Sequence, residues 1–234
     1  MIVRRSGGSQ LLITQPDHAA LAGRVMECWT AGALQRSPRR AEIFLAIYEH
    51  DNGWREPDAE PIIDSDGKIL DFVHAPDAVR QALWLRGIER LAESPYAAAL
   101  VAQHAIAVHD RKRSDPGWTP FFDDMEAARA KHVVRASATL AELWSDYAFL
   151  RIADLISLTF CNGWRDHKQD HDGYSVTGVE DGVIVTPDPF SGTRIPMEIT
   201  AIAIAASPLA SSSAAVQAMA VGERRTLRGF ARAG

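Results

Sequence analysis

His50 and Asp51 stand side by side in the sequence EHDNGW, at the end of an apolar segment. Two adjacent ionisable groups at the edge of a core cost desolvation free energy unless something pairs with them. They therefore satisfy each other, hold a metal ion or take part in a reaction. Imidazole and carboxylate groups are both ligands for divalent metal ions.

Further groups of the same chemistry fall on apolar faces of predicted helices. Residues three, four and seven positions apart share one helical face, and by this spacing four side chains turn toward the core from four separate helices: His18, His50, His104 and Asp154. Taken singly, a buried histidine is usually a hydrogen-bonded core residue, and a buried aspartate requires a basic partner. A cation at the centre of the fold would explain all four positions together.

The elements that must position these groups are mostly helical. Apolar periodicity and capping signals predict a strand at residues 10–14, a loop at 54–74, and helices at 16–33, 38–53, 76–92, 96–109 and, broken once, 121–160. Asp181-Gly182 predicts a hairpin, and residues 194–203 and 225–231 predict further strands. We therefore expect a mainly α protein, a helical bundle with a small C-terminal antiparallel β-element. Residues 1–165 would form the metal-binding body, and residues 166–234 an appendage packed on the same domain.

Composition argues against several classes of partner. The chain of 234 residues is 47% hydrophobic and 24% charged, with a formal net charge of −5. This balance gives no electrostatic case for binding nucleic acid or acidic lipid. The alanine-rich tract at 199–221 is interrupted by Pro208 and four serines, so we expect no membrane span. Two cysteines fit a reducing compartment, which predicts a cytoplasmic protein, and a homo-oligomer is left open.

The order of the candidate residues resembles that of the HD-domain metal-dependent phosphohydrolases and their di-iron oxygenase relatives. In that superfamily a helical bundle carries a histidine, an adjacent His-Asp pair, often two further histidines and a late aspartate. The resemblance implies an HD-like bundle and adds His74 to the candidate ligands, which become His18, His50, Asp51, His74, His104 and Asp154. The segments ITQPDHAALAGRV, IYEHDNGW and SPYAAALVAQHA, with TPDPF near the end, more closely resemble a bacterial family described as domain of unknown function 3891, which implies no activity.

These ligands predict one or two divalent metal ions, and Fe, Mn, Zn, Ni and Mg are all compatible with them. His18, His50, Asp51 and Asp154 would bind one ion, and Asp51 would bridge to a second ion held by His74 and His104. Two such ions can clamp the attacking and leaving oxygens of a phosphoryl transfer. We therefore predict a phosphohydrolase-like hydrolase for a small anionic molecule. The alternatives are a di-iron oxygenase and a non-catalytic ligand-binding protein on a degenerate HD scaffold.

The residues that follow the His-Asp pair predict a substrate pocket. Asp51 and Arg55 are the predicted catalytic residues, and Arg55 would also clamp an anionic group of the substrate. Asn52 would form hydrogen bonds to the substrate. Trp54 would stack against the substrate or simply pack in the core. Gly53 is predicted to end the preceding helix as a C-cap.

Overall fold

Helices make up about 51% of the chain. The structure is a computed structural model that describes residues 1–234, except for the side chain of Ser6. Over these residues the α-helices are α1 (Gln15–Glu27), α2 (Arg40–Glu49), α3 (Arg55–Ala59), α4 (Asp77–Arg90), α5 (Pro95–Val108), α6 (Thr119–Arg135), α7 (Leu140–Asn162) and α8 (Ser212–Val221). Thr14 caps the N-terminus of helix α1, and its hydroxyl accepts a hydrogen bond from the Asp17 amide at 3.1 Å.

The strands form one curled mixed sheet that resembles half a barrel. They are β1 (Ile2–Ser6), β2 (Ser9–Ile13), β3 (Lys168–His171), β4 (Tyr174–Val179), β5 (Gly182–Thr186), β6 (Ile195–Ala205) and β7 (Glu223–Ala233). Their order across the sheet is β1-β2-β6-β7-β5-β4-β3. Strands β5 and β7 run parallel, and each other neighbouring pair is antiparallel.

The predicted fold class is therefore wrong. The β-structure is neither small nor confined to the C-terminal part, because the sheet has seven strands, contains about 21% of the chain and begins at Ile2. The physical cause is the N-terminal hairpin. Gly7 and Gly8 both have positive φ, at +52° and +80°, and form the two-residue turn that joins β1 to β2. The sequence SGGS, with two adjacent glycines ahead of the apolar residues 11–13, carries this hairpin signal.

The sheet joins residues from both sides of the predicted boundary at residue 165. Strand β2 pairs with β6 in a register that places Leu11 opposite Ala203. One core of buried apolar side chains likewise runs from Ile2 through the helices to Ala231. The division into a body of residues 1–165 and an appendage of residues 166–234 stays a prediction, and the sheet and the core both cross it.

Several predicted elements are present with shifted ends. The hairpin at Asp181-Gly182 is confirmed, because β4 and β5 pair there. Helix α2 ends at Glu49, so that His50 and Asp51 lie just beyond it rather than inside a helix that continues to residue 53. Helix α8 occupies part of the alanine-rich tract and was not predicted. Within the described residues, we find no helix whose length and apolar character would let it cross a membrane.

Helix α5 is the centre of the helical layer. Its side chains are buried from Tyr96 to Ile106 because α2, α4, α6 and α7 pack around it. Helix α7 contacts α1, α2 and α5 on one side and the sheet on the other. The ends and faces of α1, α2, α5 and α7 therefore meet at one place inside the protein, beside the turn that carries His50 and Asp51.

Candidate metal centre

Four ligand-type side chains converge where these helices meet. His18 comes from α1, His50 and Asp51 from the turn after α2, and Asp154 from α7. Both histidines and Asp51 are buried, and 13% of the Asp154 side chain is exposed. His18 Nε2 lies 3.0 Å from Asp51 Oδ2, 3.5 Å from Asp154 Oδ1 and 3.3 Å from His50 Nε2. His50 Nε2 lies 3.6 Å from Asp51 Oδ2 and 3.5 Å from Asp154 Oδ1.

These separations have the size expected of ligand atoms around one metal ion. In a tetrahedral site with metal–ligand bonds of about 2.1 Å, neighbouring ligand atoms are about 3.4 Å apart, and in an octahedral site about 3.0 Å. The five separations at this centre range from 3.0 to 3.6 Å. The contacts of both histidine nitrogens with both carboxylates therefore have dimensions suited to a metal site, and we call these four atoms the cage.

The hydrogen bonds on the other side of each ring fix which nitrogen faces the cage. His50 Nδ1 donates to the Ile47 carbonyl oxygen at 2.8 Å, so its Nε2 carries the lone pair when the ring is neutral. The Ser157 hydroxyl donates to the His18 carbonyl oxygen at 2.7 Å and therefore accepts from His18 Nδ1 at 3.1 Å. The His18 Nε2 atom is thus also a lone-pair atom. Such orientation of metal-binding histidines by bonds to the second nitrogen is usual in metalloproteins.

With both rings neutral, four acceptor atoms would face one another in a buried space. Two imidazole nitrogens and two carboxylate oxygens repel unless protons or a cation lie between them. The pKa values reflect this demand for positive charge. Burial alone would lower the pKa of His50, yet the charge of Asp51 and the hydrogen bond and charge of Asp154 raise it to about 9.

The two carboxyl groups show the complementary effect. Burial raises the pKa of Asp154, but the hydrogen bond from His50 and the charges of the surrounding histidines outweigh it and bring the pKa to about 2. The pKa of Asp51 is also lowered, because His50 and His18 outweigh its burial. Both carboxylates are therefore ionised and available to a cation.

His104 stands next to this cage on α5. Its Nε2 lies 3.7 Å from Asp154 Oδ2, and its Nδ1 lies 3.2 Å from the Tyr147 hydroxyl. Burial lowers the pKa of His104 to about 4, so the ring is neutral. Two overlapping groups could hold a metal ion, with ligand atoms within 4.8 Å of one another: His18, His50 and Asp51, and His50, His104 and Asp154.

His74 is not part of either group. It lies in the loop before α4, where 70% of its side chain is exposed and its Nδ1 contacts Asp71 Oδ1 at 2.6 Å. Its role as a ligand stays a prediction that the geometry of the described residues does not favour.

The predicted substrate residues take different places. Arg55 is exposed, donates to Glu49 Oε2 at 2.7 Å and lines a surface groove with Arg90. Asn52 is buried and donates to the Gly87 carbonyl oxygen at 3.2 Å, so it fixes the turn against α4. Trp54 is buried and lines a cavity that includes Asp51. Of these three side chains, Trp54 has the position that the substrate prediction requires.

Gly53 is not a helix C-cap, because α2 is capped at His50. Its physical role is close packing. A Cβ atom at Gly53 would lie 2.2 Å from the Leu83 carbonyl oxygen of α4, and one at Gly87 would lie 2.7 Å from Asn52 Oδ1. The two glycines let the turn with His50 and Asp51 approach α4 directly.

Two adjoining cavities open on the centre and share His104, Val108, Asp154 and Leu158. The smaller, of about 180 Å³, has an aromatic wall of Trp54, Phe72 and Trp84. The larger, of about 300 Å³, is lined also by Tyr147, Arg151, Trp164, Gln169 and His171. Asp154 therefore lies on the side of the centre that both cavities reach, and Asp51 faces the smaller cavity.

Sequence reasoning missed Arg151 as a residue of this site. Arg151 precedes Asp154 by three residues on α7, and that spacing places the two side chains on one helical face. The signal was therefore available in the sequence, and both residues line the larger cavity. His171 reaches the same cavity from β3, a position that depends on the fold of the sheet.

Fold and site together define a mixed α/β protein with buried His/Asp groups that could hold a metal ion. The chain belongs to the family described as "Protein of unknown function (DUF3891)", whose sequence model matches residues 1–206. Comparison with curated proteins and with solved structures gave no match. The resemblance to HD-domain enzymes therefore rests on the order of the residues and not on any relative.

Proposed function

We propose that this protein is a metal-dependent hydrolase of small anionic substrates, with His18, His50, Asp51 and Asp154 as the ligands of one divalent ion. The observation that carries the proposal is the convergence of two oriented imidazole nitrogens on two carboxylate oxygens, with five separations of 3.0–3.6 Å. If these four side chains were only core residues, each acceptor atom would need its own hydrogen-bond donor. A single bound cation would satisfy all four atoms at once. The order His18, His50-Asp51, Asp154 also resembles that of HD-domain phosphohydrolases.

The residues around the proposed metal site have different roles. A bound divalent ion supplies a water of lowered pKa and polarises a substrate oxygen. Ser157 and the Ile47 carbonyl oxygen hold the rings of His18 and His50 in the orientation that binding requires. His104 lines both cavities, and its Nε2 lies 3.7 Å from Asp154 Oδ2, so it is placed to contact a substrate bound beside Asp154.

A centre with one ion is favoured over a di-iron centre. Beyond the four proposed ligands, the ligand groups among the described residues include one more residue, His104, whose Nε2 lies 3.7 Å from Asp154 Oδ2. A second ion would need further ligands, and His74 is exposed at a distance from either group. The geometry thus gives less support to the oxygenase alternative than to hydrolysis.

Hydrolysis of 4-nitrophenyl phosphate and bis(4-nitrophenyl) phosphate tests the proposal. Protein without a histidine tag would be stripped of metal and assayed with Mn²⁺, Fe²⁺, Zn²⁺, Ni²⁺ or Mg²⁺ added singly. We expect turnover that requires one of these ions and that is lost in His50→Gln. His132→Gln is the matched control, because His132 is a buried histidine outside both ligand groups. Equal turnover in both variants, or turnover without metal, would contradict the proposal.

A further inference from the structure

The larger cavity is bounded by α5, α7 and β3. Each of the two cavities has one arginine in its wall, and Arg80 of the aromatic cavity is paired with Asp77 and lies over the Trp118 ring. Its wall includes Arg151, His171, Gln169 and Tyr147, and it borders the candidate metal centre at His104 and Asp154. We call this larger cavity the anion cavity.

Arg151 is held in this wall by contacts on one side of its guanidinium group. Its Nε donates to His171 Nδ1 at 3.0 Å, and its Nη2 contacts the same nitrogen. Asp172, which is not among the residues that line the cavity, lies 3.5 Å from the same Nε. Within the described residues Nη1 makes no hydrogen bond, so the guanidinium keeps donors for a ligand.

The contact with Arg151 also decides what His171 can offer. A guanidinium group only donates hydrogen bonds, so His171 Nδ1 must accept, and the ring is neutral with its proton on Nε2. His171 is therefore a donor at Nε2 in the same wall. A planar cation and a neutral N–H donor side by side are suited to the oxygens of a phosphate or carboxylate group.

We infer that the anion cavity is the subsite for the anionic group of the substrate, with Arg151 and His171 as its hydrogen-bond donors. The inference rests on the proposed function, since it assigns the substrate of the same centre. The aromatic cavity on the other side of Asp154, with Trp54, Phe72 and Trp84, is then left for the organic part. Trp84 Nε1 is buried there without a hydrogen-bond partner among the described residues. The substrate class is a small phosphomonoester with an apolar or aromatic organic group.

The first test measures binding of inorganic phosphate to the metal-loaded protein by isothermal titration calorimetry. Arg151→Gln should weaken binding about tenfold or more, because a charge-assisted hydrogen bond is lost. The phosphate affinity of Arg151→Lys should lie between those of wild type and Arg151→Gln, because lysine keeps the charge but lacks the paired donors of the guanidinium group. Arg113→Gln is the matched control and should bind as wild type does, because Arg113 is paired with Asp110 and Glu126 and lines neither cavity. Metal content and melting temperature would be checked for each variant.

The second test uses steady-state kinetics with 4-nitrophenyl phosphate, and it distinguishes failure of the subsite inference from failure of the proposed hydrolase function. We expect Arg151→Gln to raise KM about tenfold or more with a smaller effect on kcat. Phosphate binding that depends on Arg151 without any hydrolysis would refute the hydrolase and leave the subsite standing. Hydrolysis with the same KM in wild type and Arg151→Gln would overturn the subsite and leave the hydrolase. Failure of wild type to bind phosphate would also overturn the subsite.

Discussion

Replacing Ser157 by alanine tests how the centre is held without touching a ligand atom. Ser157 is buried on α7, and its hydroxyl makes two hydrogen bonds to His18, accepting from Nδ1 at 3.1 Å and donating to the backbone oxygen at 2.7 Å. The alanine variant leaves both His18 groups without these partners. The ring loses the bond that keeps the Nε2 lone pair directed at the cage.

Two magnitudes follow from this loss. Leaving a buried donor and acceptor unpaired should lower the free energy of unfolding of the metal-free protein by about 1–3 kcal/mol. Loss of the bond that orients a ligating histidine should weaken metal binding by about 10- to 100-fold. The reduced affinity should also shrink the stabilisation by metal, which is about 2.7 kcal/mol when the ion is present at 100 times its dissociation constant.

The assay is competition with a chromophoric chelator for affinity, together with thermal unfolding with and without metal. Thr159→Val is the matched control, because it removes a buried hydroxyl two residues further along the same helix. We expect the control to bind metal as wild type does. Metal affinity of Ser157→Ala equal to that of wild type would refute the reasoning that Ser157 orients His18.

Three further predictions concern stability, packing and ligand choice. Burial lowers the pKa of His109 to about 4, so between that pH and about 6.5 the unfolded chain binds a proton that the folded chain does not. The free energy of unfolding should therefore decrease as the pH falls through this range, by on the order of 3 kcal/mol at most. The decrease should be smaller in His109→Gln. An equal dependence of the unfolding free energy on pH in wild type and His109→Gln, measured by urea unfolding, would contradict this prediction. Gly53→Ala would place a methyl group 2.2 Å from the Leu83 carbonyl oxygen. It should lower the free energy of unfolding by about 1–3 kcal/mol and reduce metal occupancy, because the turn with Asp51 must move. Stability equal to that of wild type in thermal unfolding would contradict this prediction. His74→Gln should retain the metal content of wild type by elemental analysis, and a loss of metal would show that the exposed loop histidine does act as a ligand.

Local periodicity was sufficient to place the inward-facing ionisable groups. Helical spacing put His18, His104 and Asp154 on apolar faces, and the structure brings them together with His50 and Asp51. The pattern worked because a helix fixes the direction of every side chain once its apolar face is known. Their role as metal ligands stays a prediction.

Long-range pairing and loop placement were beyond such reasoning. The pairing of β2 with β6 joins residues about 190 positions apart, and nothing local to either strand specifies its partner. The position of His171 could not be predicted for the same reason, because this residue lines the larger cavity only through the place of β3 in the sheet. His74 failed for a related reason, because a loop residue takes its position from contacts such as that with Asp71 and not from a helical face. The N-terminal hairpin, by contrast, was predictable from its two glycines.

Metal stoichiometry tests the central claim most directly. Untagged protein, purified without chelator and dialysed against metal-free buffer, would be analysed by inductively coupled plasma mass spectrometry as wild type, Asp51→Asn and Asp154→Asn. Asp146→Asn is the control, because Asp146 lies on the same helix as Asp154 but bonds to Tyr96 outside the centre. We predict about one divalent ion per chain in wild type and in the control, and loss of the ion in both ligand variants. Wild-type protein that is folded but binds no ion, or ligand variants that keep it, would contradict the account.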